Sequence, residues 1–450
     1  MSQPTLRTER LLPLVGPIFL QQATQSVVML ADFWFFSRLS DAVAATVGQL
    51  LPIVWIGTFV IPVFAGTGVS VASQFMGAGR LEKVVPTYLM NLALTTAMGA
   101  ALAAVVFFFA PAICGWMGLH ASLHAIGAAY LGTISVYFVF LGVLVAYNAV
   151  LSSRGMTHWL MYQAFLIATL NVVLAAWFLF GFGWGLRGVV AASVVSVAVG
   201  TVVAVWLVHA RLGVRFHRRG AWRDMRGVLR PMLRIGLANA LEPFSYSVQQ
   251  IILSTMIIAL GVDAMAANTY AARPQMMQIT FSVSLALGAQ ILMAHWMGAQ
   301  RIADVNRLFW RALRRGMLVA FGYALTLWLA SDFVLGLFTH DPAVHALGRK
   351  LLLIAVCYEP ARAVNIIGGF ALKTVGDARF PMVLGVVFIW GILPVVFAID
   401  RVWHLTVAGF WMCFAADEII RAGINLWRWR TGRWQHMGIV AEAPAAPGEA

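Results

Sequence analysis

The residues of this chain best able to do chemistry are acids and bases set into apolar runs. Asp32 stands in Val27-Val28-Met29-Leu30-Ala31-Asp32-Phe33-Trp34, with no basic residue close by in sequence. Glu359 and Arg362 are three apart in a later run, a spacing that puts both on one helical face and permits a salt bridge. Arg273, Asp417, Glu418 and Arg421 add further charge in or beside such runs. In hydrocarbon a charged side chain costs several kcal/mol unless it is paired or hydrated, so each marks a candidate ion or substrate site. A carboxylate without a fixed partner, as Asp32 reads, suits reversible uptake of a proton or a cation near neutral pH. The plainer reading of Asp32 is an interfacial side chain held by a backbone or hydroxyl donor. The later charges read equally well as pairs that re-form during a motion and as static pairs tying helices together.

The elements that must position these groups are membrane spans. With 61% hydrophobic and 11% charged residues and a mean hydropathy of +0.84, the chain is too apolar for a soluble globular protein, whose charged fraction is typically about 25%. Runs of about 20 residues, enough for a hydrocarbon core of about 30 Å, can be placed in six segments of the first half: 11–36, 44–70, 87–113, 125–151, 160–182 and 189–209. The second half offers 235–260, 266–293, 317–338, 351–372, 382–399 and 405–425. The fold class is therefore an all-α integral membrane protein of twelve transmembrane helices. Pro13 and Pro17 in the first span and Pro52 and Pro62 in the second remove backbone hydrogen bonds and allow bending.

The two halves repeat at a shift of about 221 positions, which makes them pseudo-symmetric six-helix lobes. Asp41-Ala42-Val43-Ala44-Ala45 returns as Asp263-Ala264-Met265-Ala266-Ala267, Met76 to Arg80 as Met297 to Arg301, and Leu151 to Gly155 as Leu372 to Gly376. The expected organisation is an N-lobe over 1–210, a basic cytoplasmic linker over 211–234, a C-lobe over 235–435 and a disordered, Ala/Pro/Gly/Glu-rich tail over 436–450.

The net charge of +14 needs no nucleic acid to explain it. With both termini cytoplasmic, only Arg38, Arg187, Arg349, Lys350 and Arg401 fall in outside loops, as the positive-inside rule requires. A plasma (inner) membrane location with many passes follows. The linker is expected to be solvated, with anionic lipid as the less favoured partner. The first span is long and lacks a small-residue cleavage site, so no cleaved leader is expected. Cys114, Cys357 and Cys413 have no metal or redox spacing and read as packing residues. No DDxxD cluster, Gly-x-Ser-x-Gly or His-Glu-x-x-His motif is present, which leaves no catalytic residues to nominate and makes an enzyme the weakest class.

Several segments together resemble the multidrug and toxic compound extrusion (MATE) family. They are Asp32 to Leu39 followed by Ala44-Ala45, the loop Gly77-Ala78-Gly79, Gly155, Gly376-Asp377, and Asn171 ahead of Phe180-Gly181-Phe182-Gly183-Trp184-Gly185. The resemblance spans about residues 5 to 430 and places the chain in the larger multidrug/oligosaccharidyl-lipid/polysaccharide flippase superfamily. It implies two lobes forming a V around a central cavity, and export of organic, often cationic compounds driven by inward protons or sodium. It further implies an N-lobe cation network of Gln25, Asp32, Asn148, Asn171 and Ser193. Ala175 stands where DinF-type relatives carry a second Asp. In the C-lobe, Glu242 and Tyr358 match acidic and Tyr positions of the NorM-like branch, while Arg362 stands where that branch has a cation-binding Asp. Two sodium-type ligands are thus missing, which favours the proton as coupling ion over sodium. Arg273, Glu359 and Arg362 complete the candidate C-lobe charge network.

The expectation is an antiporter with a small-molecule substrate, acting as a monomer in the bilayer without cofactor or metal. Its 20 Met residues and its 12% aromatic content suit an adaptable cavity for lipophilic cations. The alternative is a flippase for lipid-linked saccharide precursors, in which Arg273 and Arg362 would bind diphosphate.

Overall fold

Uninterrupted apolar runs favour helix in a bilayer because a helix satisfies its own backbone. The computed structural model describes residues 9–214, 216 and 221–438, and among these it is all-helical. Some side chains within the helices, that of Glu242 among them, lie outside the described residues, as do positions 439–450 of the expected tail.

The chain forms two compact units, Met1–Gly236 and Leu237–Ala450. The first contains α1 (Leu12–Leu39), α2 (Asp41–Gly77), α3 (Leu81–Phe108), a short α4 (Ala110–Trp116), α5 (His124–Ser153), α6 (Thr157–Ala176) and α7 (Gly185–Trp206). The helix α8 (Ala221–Ile258) begins in the first unit and continues into the second, so residues 221–234 of the expected linker are helical. The second unit continues with α9 (Val262–Gly298), α10 (Ile302–Leu329), a short α11 (Ser331–Gly336), α12 (Pro342–Thr374), α13 (Arg379–Trp403) and α14 (Val407–Arg430). Among the described residues twelve α-helices are long, and the two short ones, α4 and α11, occupy corresponding places.

The repeat is written in the backbone. α2 and α9 are each 37 residues and α3 and α10 each 28. Left-handed residues recur at matched sites: Gly79 (φ 72) with Gln300 (φ 57), Gly155 (φ 69) with Gly376 (φ 102), and Gly183 (φ 67) with His404 (φ 46). Gly155 and Gly376 follow α5 and α12, where a left-handed residue ends a helix at low cost only without a Cβ. At Gly376 the turn also presents Asp377, whose Oδ2 accepts from Arg428 Nε at 2.6 Å and ties the end of α12 to that of α14.

Two expected spans run through helix breaks. Segment 87–113 crosses the end of α3, where Pro111 in the first turn of α4 interrupts the ladder, and 317–338 crosses the end of α10. Nine helices are long and apolar enough on composition alone to cross a membrane among the described residues, and α8, α10 and α14 are not among them. The reason is local charge. Arg307, Arg311, Arg314 and Arg315 extend α10 before its apolar part, and α14 carries Asp417, Glu418 and Arg421 in mid-helix.

In the first unit α5 packs on α2, α3 and α7, and α6 on α1 and α7. Its core gathers Val47, Leu50, Leu131, Phe138, Ala175 and Val189. Cys114 is buried there and Cys413 packs against the core of the second unit, whereas Cys357 is exposed rather than a packing residue. α3 and α5 approach through glycine: a Cβ at Gly99 would overlap Phe138 O, and one at Gly142 would overlap Thr95 O. Thr95 Oγ1 donates to Gly142 O at 2.8 Å across the same contact. Gly142→Val is therefore expected to lose about 1–3 kcal/mol of stability through overpacking, read as a lower melting temperature in detergent.

Candidate ion-coupling sites

α1 carries Asp32 on the face that meets α6 and α7. Asn171 opens toward it from α6 and Ser193 from α7. Ser193 Oγ donates to Asp32 Oδ2 at 3.2 Å and itself accepts from Asn171 Nδ2 at 2.9 Å. Asp32 Oδ1 and Asn171 Oδ1 are inaccessible and lack hydrogen-bond partners among the described residues. Sequence reasoning did not single out Tyr130 and Tyr137, which lie within electrostatic reach of Asp32 from α5. Their only sequence signal was a polar tip in an apolar run.

Not every member of the N-lobe set comes together. Gln25 sits two turns before Asp32 on α1, exposed and with no hydrogen bond to the trio. Asn148 is half-buried on α5, and its Oδ1 has no hydrogen-bond partner among the described residues. Ala175, one turn beyond Asn171, is fully buried in the apolar core. Ala175→Asp is expected to destabilise the protein by several kcal/mol, because the new carboxylate would be desolvated among apolar side chains. Thermal unfolding of the purified variant checks this.

In the second unit the mid-helix charges of α12 and α14, Glu359, Arg362, Asp417, Glu418 and Arg421, form one buried cluster. Arg362 Nη1 donates to Glu359 Oε1 at 2.5 Å, and its Nη2 to Tyr358 Oη at 3.3 Å. Arg362 Nε is 3.7 Å from Glu418 Oε1. Arg421 Nη2 lies 2.6 Å from Asp417 Oδ2 and 3.1 Å from Glu418 Oε1. The guanidinium of Arg362 also covers the rings of Tyr358 and Phe414, at 4.7 and 5.1 Å from their centroids. Tyr358 donates to Gln275 Oε1 on α9 at 3.0 Å. Asn365 donates to Glu418 Oε2 at 2.5 Å and accepts from Asn425 at 3.1 Å. The amides Gln275, Asn365 and Asn425 were missed in the sequence, where polar side chains within apolar runs were their only sign. Arg273 stays apart: it is exposed on α9 and makes no ion pair among the described residues. Glu242 falls on α8, with its side chain outside the described residues. No group of three His, Cys, Asp or Glu arranged to hold a metal ion occurs among the described residues.

A family model described as MatE matches the chain twice, over residues 17–177 and 238–398, which are the two halves of the repeat. The chain belongs to the MatE family. As a MatE protein it is a multi-pass membrane transporter of small molecules, and not an enzyme. It is similar to the "Uncharacterized transporter YisQ" of Bacillus subtilis (strain 168), 26% identical over 449 residues and covering 98% of each chain. It is also similar to the "Probable multidrug resistance protein NorM" of Thermotoga maritima, 23% identical over 446 residues, covering 97% of this chain and 95% of that one. Among solved structures, the Vibrio cholerae MATE transporter VcmN in the bent form superposes with a TM-score of 0.84 at 18% identity, covering 95% of this chain and 97% of that one. A MOP superfamily transporter from Pyrococcus furiosus gives 0.83 at 19% identity, covering 95% and 96%. At such identities the likeness is one of fold.

Proposed function

We propose that this MatE protein is a secondary antiporter that exports organic, cationic or lipophilic compounds in exchange for protons entering through alternating access. The observation that carries the reading is Asp32, a carboxyl in an apolar helix whose neighbours are the neutral side chains Ser193 and Asn171 and whose Oδ1 lacks a donor among the described residues. Two neutral partners support the ionised carboxylate without fixing it, so that a proton arriving from outside can neutralise it. Neutralisation removes the charge that holds a cationic substrate, the substrate leaves, and loss of the proton to the cytoplasm resets the carrier.

Export of drug-like compounds is supported by relatives described as probable multidrug resistance proteins. The proton is favoured over sodium because Ala175 adds no oxygen ligand beside Asp32, and because the guanidinium of Arg362 stands beside Glu359. The flippase reading asks Arg273 and Arg362 to bind diphosphate together, yet the guanidinium of Arg362 is engaged by Glu359 and Glu418, which leaves only Arg273. The positive-inside distribution supports cytoplasmic termini and a plasma-membrane location, and the reading needs no more than a monomer.

The test is efflux of a fluorescent lipophilic cation from proteoliposomes under a proton gradient and, separately, a sodium gradient. Efflux that follows the proton gradient alone is expected. Dependence on sodium alone would refute proton coupling. No efflux under either gradient, together with disturbed envelope synthesis in a deletion strain, would replace the exporter by the flippase.

A further inference from the structure

The first half of α10 carries a row of exposed guanidiniums. Arg307, Arg311, Arg314 and Arg315 recur at helical spacing, which sets them on one stripe of the helix, and all four face outward. The opposite stripe is packed. Val305, Leu308, Phe309, Ala312 and Leu313 are buried, Phe309 stacks on Trp429 of α14 at 3.9 Å, and Asn306 Oδ1 accepts from Trp429 Nε1 at 2.9 Å. The backbone that presents the arginines is therefore held in place from behind. Arg307 is partly engaged by Asp304 at 3.6 Å, an acid that also accepts from Arg301 at 2.8 Å. Arg311, Arg314 and Arg315 form no ion pair among the described residues. Beside them Arg430, exposed at the end of α14, lies over the ring of Trp310 at 5.5 Å from its centroid.

Two observations indicate what this face meets. The stripe changes character within one turn: Leu318, in line with Arg311 and Arg314, is 64% exposed, and Val319 and Phe321 beyond it are exposed as well. Exposed apolar surface on a membrane span belongs among acyl chains, so the arginines just before it stand at the depth of the headgroups. From Arg311 to Arg315 the helix rises about 6 Å, close to the thickness of one headgroup layer. The internal repeat supplies the second observation. At the matched positions of α3, a helix of the same 28 residues, stand Met90, Ala93 and Leu94. The fold builds this helix without charge there, so packing does not call for the arginines.

We infer that Arg311, Arg314 and Arg315 of α10, with Arg430 and Trp310 beside them, form a binding site for the phosphodiester headgroup of an anionic phospholipid. A guanidinium offers phosphate oxygens two parallel N–H donors, and its apolar stem lies along the helix while the head reaches the phosphate. Trp310 places an amphipathic ring at the same level. A lipid fits this face better than a soluble phosphate does. Its acyl chains cover Leu318, Val319 and Phe321, apolar surface that a soluble anion leaves bare. The inference holds whatever ion or substrate the protein moves, so its failure and that of the antiporter reading are separate events.

The test is native mass spectrometry of the purified full-length protein in detergent, titrated with phosphatidylglycerol and, separately, with phosphatidylcholine of the same acyl chains. The wild type is expected to bind its first phosphatidylglycerol on the order of a hundredfold more tightly, at about fivefold per arginine. Arg314→Gln alone should lower that preference by about fivefold, and the triple variant Arg311→Gln, Arg314→Gln, Arg315→Gln should bring the two lipids to parity. A control, Arg187→Gln with Lys350→Gln and Arg401→Gln, removes as much charge from the expected outside loops and should leave the preference unchanged. Inorganic phosphate in millimolar excess should not displace the lipid. Lack of preference in the wild type, or its persistence in the triple variant, would overturn the inference. Equal loss in the control would replace the site by diffuse charge, and displacement by inorganic phosphate would replace the lipid by a soluble anion. The substituted side chains are exposed, so melting temperatures should match the wild type. Should the triple variant fail to fold, the single Arg314→Gln carries the test.

Discussion

Asp32→Asn is expected to reduce proton-driven efflux to the level of empty liposomes while leaving the folded protein intact. The amide keeps the shape of the carboxyl and still accepts from Ser193, so the contacts among α1, α6 and α7 persist. What it loses is the ability to change charge, and a conformational equilibrium shifts only by as much as the ligand discriminates between the two states. A side chain that is neutral in every state gives the proton nothing to discriminate. Flux measured side by side for wild type and variant, at matched protein per liposome and with melting temperatures compared, decides the point. Retention of gradient-driven flux by the variant would mean that coupling resides elsewhere, with the α12–α14 cluster the next place to look.

Arg362→Met is expected to be the most destabilising single change of a charged residue in the second unit, by roughly 3–5 kcal/mol, because it strands buried carboxylates. Arg362 bonds Glu359 at 2.5 Å, faces Glu418 at 3.7 Å and lies over two aromatic rings, so its removal withdraws charge balance and packing together. The double variant Arg362→Met with Glu359→Gln should recover much of the loss, since the most direct stranded charge leaves with its partner. Thermal unfolding of the two variants in one detergent measures this. Equal destabilisation of single and double variants would show that packing over Tyr358 and Phe414 outweighs the ion pair.

The charges themselves were the most legible part of the site. Asp32 was visible because nothing else in its run is ionisable, and the spacing of Glu359 and Arg362 foretold a pair that the fold forms. The third partner, Glu418, was not legible as such, since the register of α14 against α12 is decided by tertiary packing. The family resemblance nominated Asn171 and Ser193, which do meet Asp32, together with Gln25 and Asn148, which make no bond to it. Residues that share a cavity along a pathway need not touch in one conformation, and a motif cannot distinguish the two cases. The helical repeat was legible from matched segments. The breaks that divide α3 from α4 and α10 from α11 were passed over because the apolar runs resume beyond them, although Pro111 and Ser331-Asp332 stand at the two breaks. The left-handed residues Gln300 and His404 were hidden, standing where the first half has glycine.

Antiport is tested most directly by running the exchange from the substrate side. Proteoliposomes enclosing a pH-sensitive dye, with no proton or sodium gradient imposed, are given a gradient of a transported lipophilic cation while the membrane potential is clamped. The account predicts that wild-type protein moves protons opposite to the substrate, at a rate that rises with the substrate gradient, and that Asp32→Asn moves none. Substrate movement without any change in internal pH, or proton movement unaltered in the variant, would contradict it.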